Sequence, residues 1–271
     1  MENRRTGDAR NPLAVPLTGN PQSVWYNAVS MSDFVHLHVH SEYSLLDGLS
    51  SCKELAERAV ELDMPALALT DHGAMYGTIQ FYNACRAAGI KPIIGMETYV
   101  APRSRRDRHP QRDRSPYHLA LLAKNNTGYQ NLMQLATIAQ LEGFYYRPRV
   151  DRKALQEHRE GLIILSGCAS SELVRRIRKG QLDKARDAIK WYRDVFEDHY
   201  YIELQDHGIS ELAGVNEQLT SLAAEFDLPL VATNDAHYAR PEQASIHDVL
   251  LCIQTGKTVT EPNRMRMDGE S

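Results

Sequence analysis

The chain has 271 residues, 42% of them hydrophobic and 24% charged, a balance that suits a folded globular protein and excludes overall disorder. A formal net charge of -4 gives no global basic field advertising nucleic acid, and no apolar run reaches the about 18 residues needed to span a membrane. Four cysteines without paired spacing exclude a disulfide scaffold and suit a reducing, cytoplasmic compartment.

Residues 1–32 read as a poorly ordered tail rich in Asn, Pro, Gly and Arg. It has no continuous apolar stretch for a secretory signal, and Glu2 and Asp8 disfavour a transit peptide. One domain is expected over 33–271. A strand pattern at 34–39 (FVHLHV) is followed by a helix at 52–63, a strand at 66–70, a helix at 74–88 and a strand at 91–100. The helix at 52–63 carries Glu54, Glu57, Arg58 and Glu61 on one face and Leu55, Ala59 and Leu62 opposite, so it is expected to pack on a sheet. Ser51 and Asp183 are helix-start signals and Gly89 is a stop.

Residues 101–116 (APRSRRDRHPQRDRSP) carry six arginines against two aspartates and three prolines. They read as a solvated, mobile loop. Arg103, Arg105, Arg106 and Arg108 are candidates for gripping a DNA phosphate backbone beside a site, against the plainer reading of a charged insertion with no ligand. Next come a strand at 118–123, a helix at 126–140, an aromatic and basic connection at 143–152 and a strand at 162–166. Helices at 170–178 and 181–197, a strand at 199–205, a helix at 210–226, a strand at 228–234 and a helix at 241–254 complete the chain. Strand followed by helix about seven times predicts an α/β fold with a mostly parallel sheet. Its length suits a TIM-like barrel one strand short of eight. An open doubly wound sheet is the alternative, although neither a dinucleotide fingerprint nor a P-loop is present to support it.

Polar residues collect where the strands end, which in a parallel barrel is the mouth that holds active sites. His38 and His40 stand two apart on one strand face, and Asp47 follows. Thr70-Asp71-His72 ends the second strand, Glu97 sits inside the third, and Ser166-Gly167-Cys168 ends the fifth. Asn234-Asp235-Ala236-His237 ends the last. With His118 these make nine candidate donors: His38, His40, Asp47, His72, Glu97, His118, Cys168, Asp235 and His237. Gathered at one mouth they would repel one another, and divalent cations resolve that repulsion. Imidazole and thiolate favour zinc or a similar transition metal, and carboxylates bridge ions, so two or three ions suit nine donors better than one. Bland readings stand beside this one. Asp71 could cap the next helix, Cys168 could be a buried thiol, and His36 shares the parity of His38 and His40. His118 begins its strand, which is the wrong end if that strand runs parallel.

The segments HLHVHSEYSLLDG, TDHGAMYG, GMETYV, HLALLAKNNTGYQNL, SGC and TNDAHY closely resemble the polymerase and histidinol phosphatase (PHP) domain family. Within it, LLAKNNTGYQNLMQLAT, FYYRPRVDR, GLIILSGC and PNRMRM resemble the N-terminal PHP domains of bacterial replicative polymerases, the DNA polymerase III alpha subunits, over residues 33–268. The resemblance implies a distorted seven-stranded (β/α)7 barrel with three divalent ions (Zn, Mn or Fe) and 3′–5′ exonuclease or proofreading activity on DNA single strands. It implies that His38, His40, Glu97 and Asp235 hold one ion, Glu97, His118 and Cys168 a second, and Asp47, His72 and His237 a third. Glu97, Asp235 and His72 would serve catalysis as metal ligands. The implied partners are DNA 3′ ends, the remaining polymerase domains and other replisome subunits. A fragment ending at Ser271 is expected to have no polymerase activity of its own. The other branch of the family, phosphatases of small phosphomonoesters, and a non-catalytic structural role are the alternatives. Asp71 and His207 are candidates for orienting the ligands.

Overall fold

A computed structural model describes residues 34–45, 47–207 and 210–267 of the chain; the tail expected at 1–32 lies outside them. The elements run α1 (Cys52–Glu61), β1 (Ala66–Leu69), α2 (Thr78–Ala88), β2 (Lys91–Val100), β3 (Tyr117–Ala123), α3 (Asn126–Leu141), β4 (Arg149–Val150) and α4 (Arg152–Glu157). They continue with β5 (Leu162–Leu165), α5 (Glu172–Arg178), α6 (Leu182–Phe196), β6 (Tyr200–Gln205), α7 (Ser210–Phe226), β7 (Leu230–Thr233) and α8 (Ala244–Thr255). None of the described helices is long and apolar enough to cross a membrane.

Local chemistry sets many of these boundaries. The side chains of Ser51, Asn125, Asp151 and Ser171 accept the main-chain N–H of Glu54, Gly128, Ala154 and Val174, so each caps a helix whose first turn has no other acceptor. Gly89 ends α2 at φ 79°, a left-handed conformation that strains residues with a Cβ. Asp183 lies in the first turn of α6, whose cap is Gln181. As the sequence predicts, α1 buries Leu55 and Ala59, together with Cys52 and Ala56, against Leu67, Leu69 and Phe81.

The sheet runs β1-β2-β3-β5-β6-β7, with the two-residue β4 pairing β2 off this path. Pairs β1/β2, β5/β6 and β6/β7 are parallel, whereas β3 is antiparallel to both β2 and β5. The antiparallel β3 departs from the strand-then-helix alternation expected about seven times. The connection from β2 to β3 contains no crossover helix, so β3 returns antiparallel. The strand expected at 34–39 is instead an irregular segment whose main chain is shared between both edges of the sheet. His36 O and Val39 O accept from Ala68 N and Thr70 N, while His40 N donates to Ala236 O and Ala236 N to His38 O. The result is a curled α/β sheet whose edges are linked through residues 36–40.

Alternation along the strands separates two faces. Met96, Leu119, Leu121, Ile164 and Ile202 join the large core beneath the helices, with Leu132, Leu135, Ile189 and Tyr192. Ala68, Ala120, Leu122 and Leu165 form a smaller cluster with Ile93, Ile163, Tyr201 and Val231. His118 shares the parity of Ala120 and Leu122, and Glu97 pairs with Ala120 across the ladder, so both rise from the face of the smaller cluster.

The basic stretch 101–116 is a pinned turn rather than a free loop. Arg149 is fully buried, and its guanidinium donates to the carbonyls of Gly143, Asp113, Arg105 and Asp107 at 2.8–3.0 Å.

Candidate metal centre

Seven parts of the fold deliver the nine candidate donors. His38 and His40 come from the segment linking the sheet edges, and Asp47 from the turn after it. His72 follows β1, Glu97 lies on β2, His118 opens β3, Cys168 follows β5, and Asp235 and His237 follow β7. The reversal of β3 answers the polarity problem: because it runs antiparallel, its first residues stand where its neighbours' strands end. Gly167 takes φ 92°, and a Cβ there would lie 2.8 Å from His118 O, so only glycine lets the chain pass so close before Cys168.

All nine come together. His38 Nε2 lies 3.2 Å from Glu97 Oε1 and 3.3 Å from Asp235 Oδ1. His40 Nε2 lies 3.0 Å from the same Asp235 oxygen. His72 Nδ1 is 2.6 Å from Glu97 Oε2 and its Nε2 is 3.3 Å from Asp47 Oδ2. His118 Nδ1 is 2.9 Å from Glu97 Oε2, and Cys168 Sγ is 3.4 Å from Glu97 Oε1 and 3.6 Å from His118 Nδ1. The rings of His40 and His237 stack at 4.4 Å. Three donor groups fit within 4.8 Å: His38, His40 and Asp235; His72, Glu97 and His118; and His40, His72 and His237.

The hydrogen bonds behind these rings decide which nitrogens face the cluster. His38 Nδ1 donates to Glu203 Oε1 at 2.7 Å, and His237 Nδ1 donates to Asp235 O at 2.8 Å. Ser44 Oγ gives its one proton to Asp71 Oδ1, so it accepts from His40 Nδ1 at 2.9 Å. Each of these rings thereby commits Nδ1 elsewhere and turns Nε2 toward the cluster as the nitrogen a metal would take. His38 Nε2, His237 Nε2 and Asp47 Oδ1 are buried without a hydrogen-bond partner. Nitrogen, oxygen and sulfur donor atoms aimed at shared space, some of them buried without a hydrogen-bond partner, fit divalent metal ions.

Electrostatics follow from burial and crowding. Burial disfavours the charge on Glu97, yet His118 and His72 hold its carboxyl well below the usual range. Burial opposes ionised Asp235 too, and His38 and His40 overcome it. His72 is raised to about 10: burial pulls it down, but Glu97 and Asp47 win. His38 is raised well above its ordinary value by Asp235 and Glu203 against its burial. Burial, reinforced by His72 and His237, lowers His40 to about 3. Burial and then Glu97 push the Cys168 thiol well up.

A cavity of about 560 Å³ opens over the cluster, lined by Asp47, His72, His118, Cys168, Asp235 and His237 and also by His207, Tyr238 and Arg266. Asp71 is fixed behind Ser41 and Ser44, in contact with the support of His40. His36 stands apart, lining a different cavity with Leu55 and Leu67. Glu203 was not singled out by the sequence reading, although its place in the apolar run YYIELQ gives the signal that Glu97 gives in GMETYV. Of the basic-loop arginines, Arg103 pairs with Asp113, Arg105 with Glu142 and Asp151, and Arg106 with Glu142, while Arg108 is exposed.

A family model of the PHP domain matches residues 36–207. The DNA polymerase III subunit alpha of Treponema pallidum is 51% identical over 235 residues, covering 86% of this chain and 20% of that one. That of Thermus aquaticus is 47% identical over 237 residues, covering 86% and 19%. The chain thus spans about a fifth of the length of these relatives. A solved structure from Bifidobacterium adolescentis, described as a metal-dependent phosphoesterase, superposes at TM-score 0.49 with 14% identity, covering 76% of this chain and 89% of that one. With its site geometry and this sequence likeness to a region of DNA polymerase III alpha subunits, the chain belongs to the PHP domain family.

Proposed function

We propose that this chain is the PHP domain of a bacterial replicative DNA polymerase alpha subunit and hydrolyses phosphodiesters at DNA 3′ ends. The observation that carries the reading is the convergence of the Nε2 atoms of His38 and His40 on the carboxylates of Glu97 and Asp235, and of His72 Nε2 on Asp47, with His237 Nε2 buried beside them without a hydrogen-bond partner. In this reading His38, His40, Glu97 and Asp235 hold one divalent ion, Glu97, His118 and Cys168 a second, and Asp47, His72 and His237 a third. Bound there, zinc, manganese or iron would supply Lewis acidity, acidifying water and neutralising charge on phosphate oxygens. Glu97 presents its two oxygens to different groups, which suits a bridging carboxylate that fixes spacing. Asp235 brings charge next to His38 and His40. The cavity above the cluster admits the scissile group, and its partial enclosure strengthens every charge interaction inside it. The remaining polymerase domains and replisome subunits are the proposed partners.

The test uses metal-loaded chain, a 3′-labelled single strand and a small phosphomonoester. Release of mononucleotides from the strand, lost in Asp235→Asn with the circular dichroism spectrum kept, is expected. Turnover of the monoester alone would place the chain with the small-molecule phosphatases. No turnover of either by metal-verified protein would leave a structural role.

A further inference from the structure

Of the arginines that the sequence singles out, Arg103, Arg105 and Arg106 are spent on carboxylates of their own surface, but three arginines outside that set are not. Among the described residues, no carboxylate lies within ion-pair distance of Arg114, Arg147 or Arg175. They converge on a second cavity of about 460 Å³, whose wall also holds Tyr99, Tyr146 and His118. His118 and Ser170 line both this cavity and the one over the metal cluster, so the two adjoin. Aromatic faces organise the cations. Arg114 lies 5.1 Å over the ring of Tyr146, and Arg147 5.7 Å over Tyr99, whose ring meets that of His118 at 5.1 Å. Arg175 is oriented by a bond to Pro116 O at 2.8 Å. Tyr146 is 58% exposed, leaving ring surface open to solvent.

We infer that this cavity is a binding site for the phosphodiester backbone of single-stranded nucleic acid, holding nucleotides next to the one presented to the metal cluster. The inference rests on the hydrolase reading for its choice of ligand. Three arginines without counter-ions suit several phosphates in a row better than the single phosphate of a small monoester. A ring open beside them offers a platform for base stacking, the sequence-tolerant partner of backbone contacts in single-strand grooves. The location agrees: a strand whose end lies over Glu97 and Asp235 can leave past His118 into this cavity.

The experiment follows fluorescence anisotropy of a labelled oligothymidylate with the full chain, stripped of metal by EDTA, across a series of salt concentrations. Wild type binds with salt-dependent affinity. Arg114→Gln with Arg147→Gln weakens binding at least tenfold and flattens the slope of log K against log salt by about 1.4, two phosphate contacts at about 0.7 each. Tyr146→Ala weakens binding with the slope unchanged, because stacking releases no counter-ion. Arg106→Gln, which removes one charge from the neighbouring surface, leaves affinity and slope as in wild type. Absence of binding by wild type, wild-type affinity in the double variant, or an equal loss in Arg106→Gln would overturn the site. Hydrolysis is not read here, so a chain that binds in this pattern but never cleaves a phosphodiester sinks the hydrolase reading and leaves the binding site standing.

Discussion

Three histidines show the cluster the same ring nitrogen because each has committed the other to a fixed partner. Glu203 is the partner with most at stake: it is buried, takes the Nδ1 proton of His38, and accepts from Gly167 N at 2.9 Å and Gln205 Nε2 at 3.0 Å. Glu203→Gln keeps its shape but exchanges an acceptor for an amide, so His38 loses its tautomer lock. Metal affinity measured by calorimetry should fall about 10–100-fold, and wild-type affinity in that variant would refute the role. Protons give a second check. In the metal-free chain His38 and His72 are raised and Cys168 is raised, so at pH 7 all three carry protons that metal must displace, whereas His40 at about 3 carries none. Metal loading should therefore release protons and tighten as pH rises. Titration in two buffers of different ionisation heat reads the number, and a release of none contradicts the donor assignment. Most of the donors were legible as residue types at strand ends. Their supports were less so, because the hydroxyl of Ser44 gains meaning only where Asp71 and His40 meet it.

At the scale of elements, a short antiparallel strand and one buried arginine shape the working face. The hydrophobic period that marks β3 says nothing of its direction, so His118 was legible as a donor by type and not by position. The helices were legible because they are punctuated, by Ser51 at the start of α1 and Gly89 at the end of α2. Residues 36–40 were not, since alternating His and apolar residues look like a strand even when their main-chain groups serve two different edges. Arg149 draws together the carbonyls of 105, 107, 113 and 143, and thereby sets the turn that carries Arg114. Arg149→Met would strand four buried or half-buried carbonyls. A loss on the order of 4 kcal/mol is expected, with thermal melting about 10 °C lower, and an unchanged melting temperature would show that the turn holds itself.

For the molecule as a whole, closure and charge are linked. The sheet edges meet through His38 and His40, the residues that also carry donors, so the cluster sits on the seam. Without metal, buried carboxylates and histidine cations hold that seam through mutual charge. With metal, binding to the folded state alone adds stability, about 4 kcal/mol when free metal exceeds its dissociation constant by about a thousandfold. Thermal melting of the chain with and without EDTA reads this directly, and identical curves would mean that metal is not part of the folded state.

The account depends most on the cluster being a metal cage, and anomalous diffraction from crystals of metal-soaked chain tests it most directly. Three peaks are predicted within coordination distance of the nine donors, with Glu97 shared between two of them. A refined structure with that space empty after soaking, or with metal bound only at other residues, would contradict it.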